Sequence, residues 1–184
     1  MILWVIIIIA GIAADQLTKL IVVNTMTVGQ SNVIIDGVLS FTFVRNEGAD
    51  WGMFADNRWI FIAITAVAII CLPLILYKYR HAPFLFGFSL SLIISGAIGN
   101  MIDRVFVGSV VDFIDADIFN LVYTPISGIF GVKNAHFPVF NIADCCVTVG
   151  AILMFIYLIF LDKTIFPSEK KPAEETRNDT SDGN

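Results

Sequence analysis

The chain has 184 residues, of which 57% are hydrophobic, and its mean hydropathy is +0.83. Soluble domains are about 45–50% apolar, so the composition predicts a membrane protein, and the length predicts one domain, residues 1–166. Much of the net charge of −5 lies in residues 162–184, which hold six acidic and four basic residues. No basic cluster indicates a nucleic-acid partner, and the three cysteines have no metal-site spacing.

Four apolar segments are long enough for spanning helices, which need about 20 residues. They predict helices at about 1–23, 59–77, 84–105 and 139–162. The first segment could also be read as a signal peptide. It lacks a positive amino-terminal region and an A-x-A site, and its hydrophobicity resumes after Lys19, so a retained helix is favoured. Four spans place both termini on one side, and two positive charges in the short loop 77–83 predict that this side is cytoplasmic.

Two longer connections are expected on the outer side of the membrane. In the first, about 28–56, apolar and polar residues alternate over 39–43 and an Asp-Gly pair marks a turn, which predicts a small amphipathic β-sheet on the membrane surface. The second, about 108–138, is rich in glycine and proline and is predicted to be irregular. The polar tail 167–184 has no periodicity and is predicted to be a disordered cytoplasmic segment.

Two aspartates within apolar stretches are the first candidates for function, Asp112 and Asp144. A carboxylate at membrane depth costs about 2.5–3.5 kcal/mol on insertion scales, so such a residue marks a functional site by default. Gly108 offers a break that would let the chain fold back and bring the two together. A close pair shares one proton, which supplies a base to activate water and an acid for a leaving amine. The alternative is that each merely hydrogen-bonds a neighbouring helix.

Other polar residues lie near the same end of the predicted bundle. Asn100, Asp103 and Arg104 share one helical face, and the last two are expected to hold a loop carbonyl or a carboxylate. Asp15 and Lys19 form an i,i+4 pair, which favours an interfacial salt bridge at the end of the first helix. Neither of the two histidines gives a metal motif or a nucleophile–histidine pair, so an aspartate pair acting on water remains.

Five ordered blocks of the sequence resemble bacterial lipoprotein signal peptidase (signal peptidase II). The match of GNxIDR followed by GxVVDF and FNxAD is highly specific, and the blocks run in the family's order across residues 15–150. The five blocks are Asp15-Gln-Leu-Thr-Lys19, Asn46-Glu-Gly-Ala-Asp-Trp-Gly-Met-Phe54, Gly96-Ala-Ile-Gly-Asn-Met-Ile-Asp-Arg104, Gly108-Ser-Val-Val-Asp-Phe113 and Phe140-Asn-Ile-Ala-Asp144.

The resemblance implies an all-α membrane aspartyl endopeptidase with four transmembrane helices and the small outer sheet. It would act in the bacterial cytoplasmic membrane, near the outer leaflet, and cut signal peptides from prolipoproteins before a diacylglyceryl-modified cysteine. Asp112 and Asp144 match the catalytic pair. The predicted supporting or substrate-binding residues are Asp15, Lys19, Asn46, Gly48, Asn100, Asp103, Arg104 and Asn141. No metal or cofactor is expected; the expected partners are prolipoproteins, membrane lipids and globomycin-type inhibitors, and the expected state is a monomer.

Three features depart from the family pattern: Asp50 in place of a small apolar residue, a long connection at 116–137, and the vicinal pair Cys145-Cys146 after Asp144. None of them removes a catalytic residue. Two rival functions use the same acids differently, namely a proton-coupled transporter or channel subunit and a non-catalytic assembly partner. Transporters tend to have larger repeats with broken helices near the midplane, whereas these acids are expected near one surface.

Overall fold

The computed structural model describes residues 1–47, 58–116 and 137–161. Within these residues the chain forms helices at both ends and in the middle, with strands after the first and third. In chain order the elements are α1 (Ile2–Thr25), β1 (Ser31–Ile35), β2 (Leu39–Asn46), α2 (Arg58–Lys78), α3 (Phe84–Phe106), β3 (Val110–Ala116) and α4 (Ile142–Ile156), which continues as a π-helical segment (Tyr157–Leu161).

The helices coincide with the four apolar segments of the sequence. Among the described residues, three are long and apolar enough to cross a membrane, namely α1, α3 and the segment Ile142–Leu161. The apolar part of α2 is shorter, Ile62–Lys78. The prediction of a mostly helical chain with a small sheet is therefore confirmed, whereas four spans remains a prediction.

The third helix, α3, is the centre of the bundle. Half of its most apolar stretch is buried, compared with 17% for α1 and 11% for α4. Small residues make this packing close: a methyl group at Gly96 would overlap the Ala143 carbonyl of α4, and one at Gly99 would lie 2.6 Å from Asp15 Oδ2 of α1. In membranes such small residues let helix backbones approach and allow polar groups to meet across the interface.

The three strands form one antiparallel sheet in the order β1-β2-β3. The prediction that 108–138 is irregular was wrong for Val110–Ala116, which forms β3. After α3 the chain turns at Gly108, whose φ of 88° suits glycine, and β3 then pairs with β2. Because most of β3 is buried, its residues show no alternation of apolar and polar side chains. Its strand character depends on a partner strand distant in sequence.

Two apolar clusters lie at opposite ends of the bundle. One, at the start of α1, contains Trp4, Leu76, Leu90 and Ile94. The other, at the sheet end, contains Val22, Phe43, Val111 and Phe113, and it packs the sheet against α1. The predicted alternation along 39–43 holds only in part. Phe41 is 38% exposed whereas Phe43 is buried, and the pairing of β2 with β3 shifts register between Phe41 and Val44.

Candidate active site

Asp112 and Asp144 belong to one hydrogen-bond network at the sheet end of the bundle. Asp112 lies in β3 and is buried, and Asp144 lies in the first turn of α4. The side-chain amide of Asn141 donates to Asp112 Oδ1 at 2.6 Å and to Asn100 Oδ1 at 3.0 Å. Asn100 in turn donates from Nδ2 to Asp144 Oδ1 at 2.7 Å. Two asparagines thus connect the two carboxyl groups.

The start of α4 explains why Asn141 and Asp144 hold fixed positions. Asn141 is the N-cap residue, and its Oδ1 accepts from the Asp144 backbone N–H at 2.9 Å. The Asp144 carboxylate accepts from the Asn141 backbone N–H at 3.2 Å, which completes a reciprocal capping box. Because Asn141 Oδ1 is used in the cap, its Nδ2 is aimed away from the helix and towards Asp112. One side chain begins the helix and orients the aspartate pair.

The aspartate pair is surrounded mainly by neutral amide donors. Besides Asn141, Asn46 of β2 donates to Asp112 Oδ2 at 3.0 Å. Arg104 interacts electrostatically with both carboxyl groups and donates to the Asn100 carbonyl at 3.4 Å. Burial raises the pKa of Asp112 to about 6; the charge of Asp144 also raises it, whereas the hydrogen bonds from Asn46 and Asn141 lower it. Asp112 therefore keeps its proton to a higher pH than an ordinary aspartic acid does.

A cleft of about 350 Å³ opens beside this network, between α2, α3 and α4. Asn100, Arg104 and Asp144 form its polar end. The rest of its wall is mostly apolar and includes Ile64, Ala68, Leu72, Ile93, Ala97 and Val147. Asp144 is partly exposed, whereas Asp112 is only 2% exposed. The cleft thus places a mostly apolar wall next to one carboxyl group of the pair, that of Asp144.

A second polar cluster lies on the other side of Asn100. Lys19 Nζ is 2.9 Å from Asp15 Oδ2, 2.9 Å from Asp103 Oδ2 and 3.0 Å from Asn100 Oδ1. The predicted Asp15–Lys19 salt bridge is present, but its two residues are buried, at 0% and 3% exposure, rather than exposed at the end of the helix. The absence of a side chain at Gly99 lets α3 approach α1 closely enough to cover them. We refer to Asp15, Lys19 and Asp103 as the ion cluster.

The ion cluster ties α1 to the segments that carry the two aspartates. Asp103 Oδ2 accepts from the Val111 backbone N–H at 3.1 Å, next to Asp112, and Asp15 Oδ1 accepts from the Ala143 N–H at 2.9 Å, next to Asp144. Gln16 Nε2 donates to Asp15 and to Asp103, at 3.1 Å in each case. Gln16 was not among the residues predicted for the site. Its only signal was its place between Asp15 and Lys19.

The structure brings together nine of the ten residues predicted for the site. Asp103 was expected to hold a loop carbonyl or a carboxylate, and it instead accepts from a backbone N–H and from Lys19. Gly48 lies outside the described residues, as do Asp50 and most of the 116–137 connection. The nine are Asp15, Lys19, Asn46, Asn100, Asp103, Arg104, Asp112, Asn141 and Asp144.

Comparisons with known proteins assign this arrangement to a family. A family model described as signal peptidase (SPase) II matches residues 7–160. A lipoprotein signal peptidase of Listeria monocytogenes serotype 4b is 42% identical over 153 residues, 83% of this chain and 90% of the relative. One from Anoxybacillus flavithermus is 38% identical over 171 residues, 93% of this chain and 90% of the relative. A solved bacterial membrane enzyme is 36% identical with a TM-score of 0.72, covering 91% of this chain and 93% of that one. The chain belongs to the signal peptidase II family.

Proposed function

We propose that this protein is a membrane aspartyl endopeptidase that removes signal peptides from diacylglyceryl-modified prolipoproteins, cutting just before the lipidated cysteine. Family membership supports a protease, and the relatives named lipoprotein signal peptidases support the substrate class. The observation that carries the mechanism is the shared network of Asp112 and Asp144, held by asparagine amides beside an apolar cleft.

The two aspartates divide the work of acid and base. Asp112 is buried and its pKa is raised to about 6, so it is the natural holder of the proton that such a pair shares. Asp144 is partly exposed to the cleft and takes the role of base. The amide donors fix the orientation of both carboxyl groups without adding a charge next to Asp112.

Hydrolysis then proceeds in two steps. Asp144 takes a proton from a water molecule as the water oxygen attacks the scissile carbonyl carbon, and the Asp112 carboxyl donates its proton to the carbonyl oxygen. When the intermediate collapses, the carbon–nitrogen bond breaks, Asp144 gives its proton to the leaving amine, and Asp112 recovers its own. The products are the carboxyl end of the signal peptide and the free amine of the lipidated cysteine.

The cleft between α2, α3 and α4 suits the apolar part of this substrate. Its apolar wall is formed by these three helices, and its polar end contains Asp144 and Arg104. A signal peptide or an acyl chain can lie along this wall while the scissile bond reaches the carboxyl groups. Following the family resemblance, we assign Asn46 and Gly48 to the outer-loop motif near the substrate.

We also propose that α2 is a fourth span, with both termini cytoplasmic and the site near the outer leaflet of the bacterial cytoplasmic membrane. The site lies at the sheet end of the bundle, opposite the 77–83 loop with its two positive charges. A cysteine introduced at Asp36 in the hairpin should react with an impermeant thiol reagent in intact cells, whereas one at His81 should react only after lysis. The reverse labelling would overturn this orientation.

The decisive experiment gives the purified protein, in detergent micelles, a diacylglyceryl prolipoprotein and the same chain without lipid. We expect cleavage of the lipidated substrate alone, immediately before the modified cysteine, and its inhibition by globomycin. Activity of the purified monomer also separates an enzyme from an assembly partner, which would show none. Equal cleavage of both substrates would refute the substrate class. The transporter alternative has no support from the family match.

A further inference from the structure

A second cleft, of about 590 Å³, lies between α1, the end of α3 and the sheet. It shares no lining residue with the cleft at Asp144. Its wall is largely aliphatic, and most of that wall belongs to α1. The aliphatic residues are Ala13, Leu17, Leu20, Val23, Val107 and Val111. We call this cleft the α1 groove.

The length of the α1 groove matches one leaflet of a bilayer. Along α1 it runs from Ala13 to Val23, and ten residues of helix rise about 15 Å, half of an apolar slab about 30 Å thick. Val23 lies two residues before the end of α1, so the groove occupies the leaflet on the sheet side. Leu17 is 60% exposed and Leu20 is 58% exposed, so the groove is open towards lipid.

Among the described residues, Arg45 is the lining cation at the sheet end of this groove that forms no ion pair. Arg45 of β2 lines it and contacts neutral groups, namely Ser109 Oγ at 3.5 Å and the ring of Phe43 at 5.6 Å. Lys19 and Asp103 also line the groove, but they pair with each other at 2.9 Å. The positive charge offered to an incoming ligand is therefore that of Arg45, whose planar fork of donors suits a phosphate.

We propose that the α1 groove binds an anionic phospholipid of the sheet-side leaflet, with one acyl chain along α1 and its phosphate on Arg45. The apolar wall suits an acyl chain, the length of the groove suits one leaflet, and the cation at its surface end suits a phosphate. Side chains alternate between the faces of a strand, so Arg45 and Asn46 point to opposite faces of β2. A lipid bound to Arg45 therefore stabilises β2, whose next residue, Asn46, donates a hydrogen bond to Asp112.

Native mass spectrometry of the full chain, equilibrated with equal amounts of phosphatidylglycerol and phosphatidylcholine, tests this site. We expect one retained phosphatidylglycerol in the parent protein and about tenfold weaker retention in Arg45→Gln, since a charge-assisted contact is lost. Leu17→Trp should fill the groove and weaken retention of both lipids. Phosphatidylglycerol should also raise the thermal midpoint of the parent protein but not that of Arg45→Gln.

Two matched variants serve as controls. Arg80→Gln removes one positive charge from the opposite end of the bundle, and Ile9→Trp adds the same bulk at a position of α1 that is also 60% exposed but outside the groove. Both should retain phosphatidylglycerol as the parent protein does. Unchanged retention in Leu17→Trp, or equal retention of the two lipids by the parent protein, would overturn the proposal. Leu17→Trp also keeps the test valid if Arg45→Gln does not fold.

Discussion

Two pairs of carboxylates lie at the same end of this bundle, and their partners differ in charge. Asp15 and Asp103 share the ammonium group of Lys19, which is 2.9 Å from each. Asp112 and Asp144 are held by the amides of Asn46, Asn100 and Asn141. All four side chains accept hydrogen bonds; the first pair lies 2.9 Å from an ammonium group, whereas the second pair accepts from neutral amides and also interacts electrostatically with Arg104.

This difference separates a structural role from a chemical one. Buried carboxylates that share a cation hold neighbouring segments together, and removing the cation would leave buried charges uncompensated. Amide donors orient a carboxyl group and allow it to gain or lose a proton. Asn100 connects the two pairs, since it accepts from Lys19 and donates to Asp144. Because Lys19 donates to Oδ1 of Asn100, the Nδ2 of Asn100 is left to donate to Asp144.

The largest effect is expected from replacing the base. Asp144→Asn should lower the rate of prolipoprotein cleavage by about 10²–10⁴-fold, the contribution typical of a positioned acid or base. The bundle should stay folded, because asparagine can still accept from the Asn141 backbone N–H. The assay is cleavage by purified protein, with the thermal midpoint measured in parallel. Asp115→Asn on β3 is the control and should cleave at the parent rate. Near-normal turnover by Asp144→Asn would refute the aspartyl mechanism.

The ion cluster should respond in stability. Lys19→Met leaves Asp15 and Asp103 buried without their cation, and breaking a buried pair in this way costs about 3–5 kcal/mol. Adding Asp15→Asn and Asp103→Asn to Lys19→Met removes the stranded charges and should recover a large part of the loss. Thermal unfolding in detergent micelles measures both variants. An unchanged midpoint in Lys19→Met would show that the cluster has no stabilising role.

The positions of the helices could be read from the sequence, because uncharged runs of about 20 residues have few other stable forms in a membrane. The aspartate pair could be read as well, since acids are rare in such runs. The relation of Asn141 to Asp144 was visible as an N-x-x-D pattern, but its meaning depends on where α4 begins. Once the helix start is known, the pattern is a capping box.

Other features depended on tertiary contacts that no local pattern encodes. The strand β3 exists because β2 lies beside it. The paired residues Val44 and Asp112 are more than 60 residues apart in the sequence. Asp15 and Lys19 have the spacing of a surface pair and are buried only because α3 packs against them at Gly99. Gln16 gains its role only when Asp103 of α3 is in reach.

The raised pKa of Asp112 predicts a pH effect on stability with a definite sign. Its folded value is about 6 and its unfolded value is about 3.9, so between these the folded state holds a proton that the unfolded state lacks. The free energy of unfolding should therefore fall as pH rises from 4 to 7, by about 2 kcal/mol from this residue. Asp112→Asn removes this contribution. The measurement is the difference in unfolding free energy between parent and variant at each pH, and a constant difference would contradict the prediction.

The smallest effect is expected at Asn46, which orients Asp112 and lowers its pKa. Asn46→Ala removes a 3.0 Å hydrogen bond that lowers the pKa of Asp112, so this pKa should rise above about 6. The loss should cost about 1 kcal/mol of stability at pH 7 and lower the cleavage rate several-fold. The midpoint of the pH-dependent stability loss should move upward with it, whereas Asn32→Ala on the exposed strand β1 should leave it in place. An unmoved midpoint in Asn46→Ala would mean that burial alone sets the acidity of Asp112, and that the amides near it serve only to orient the carboxyl group.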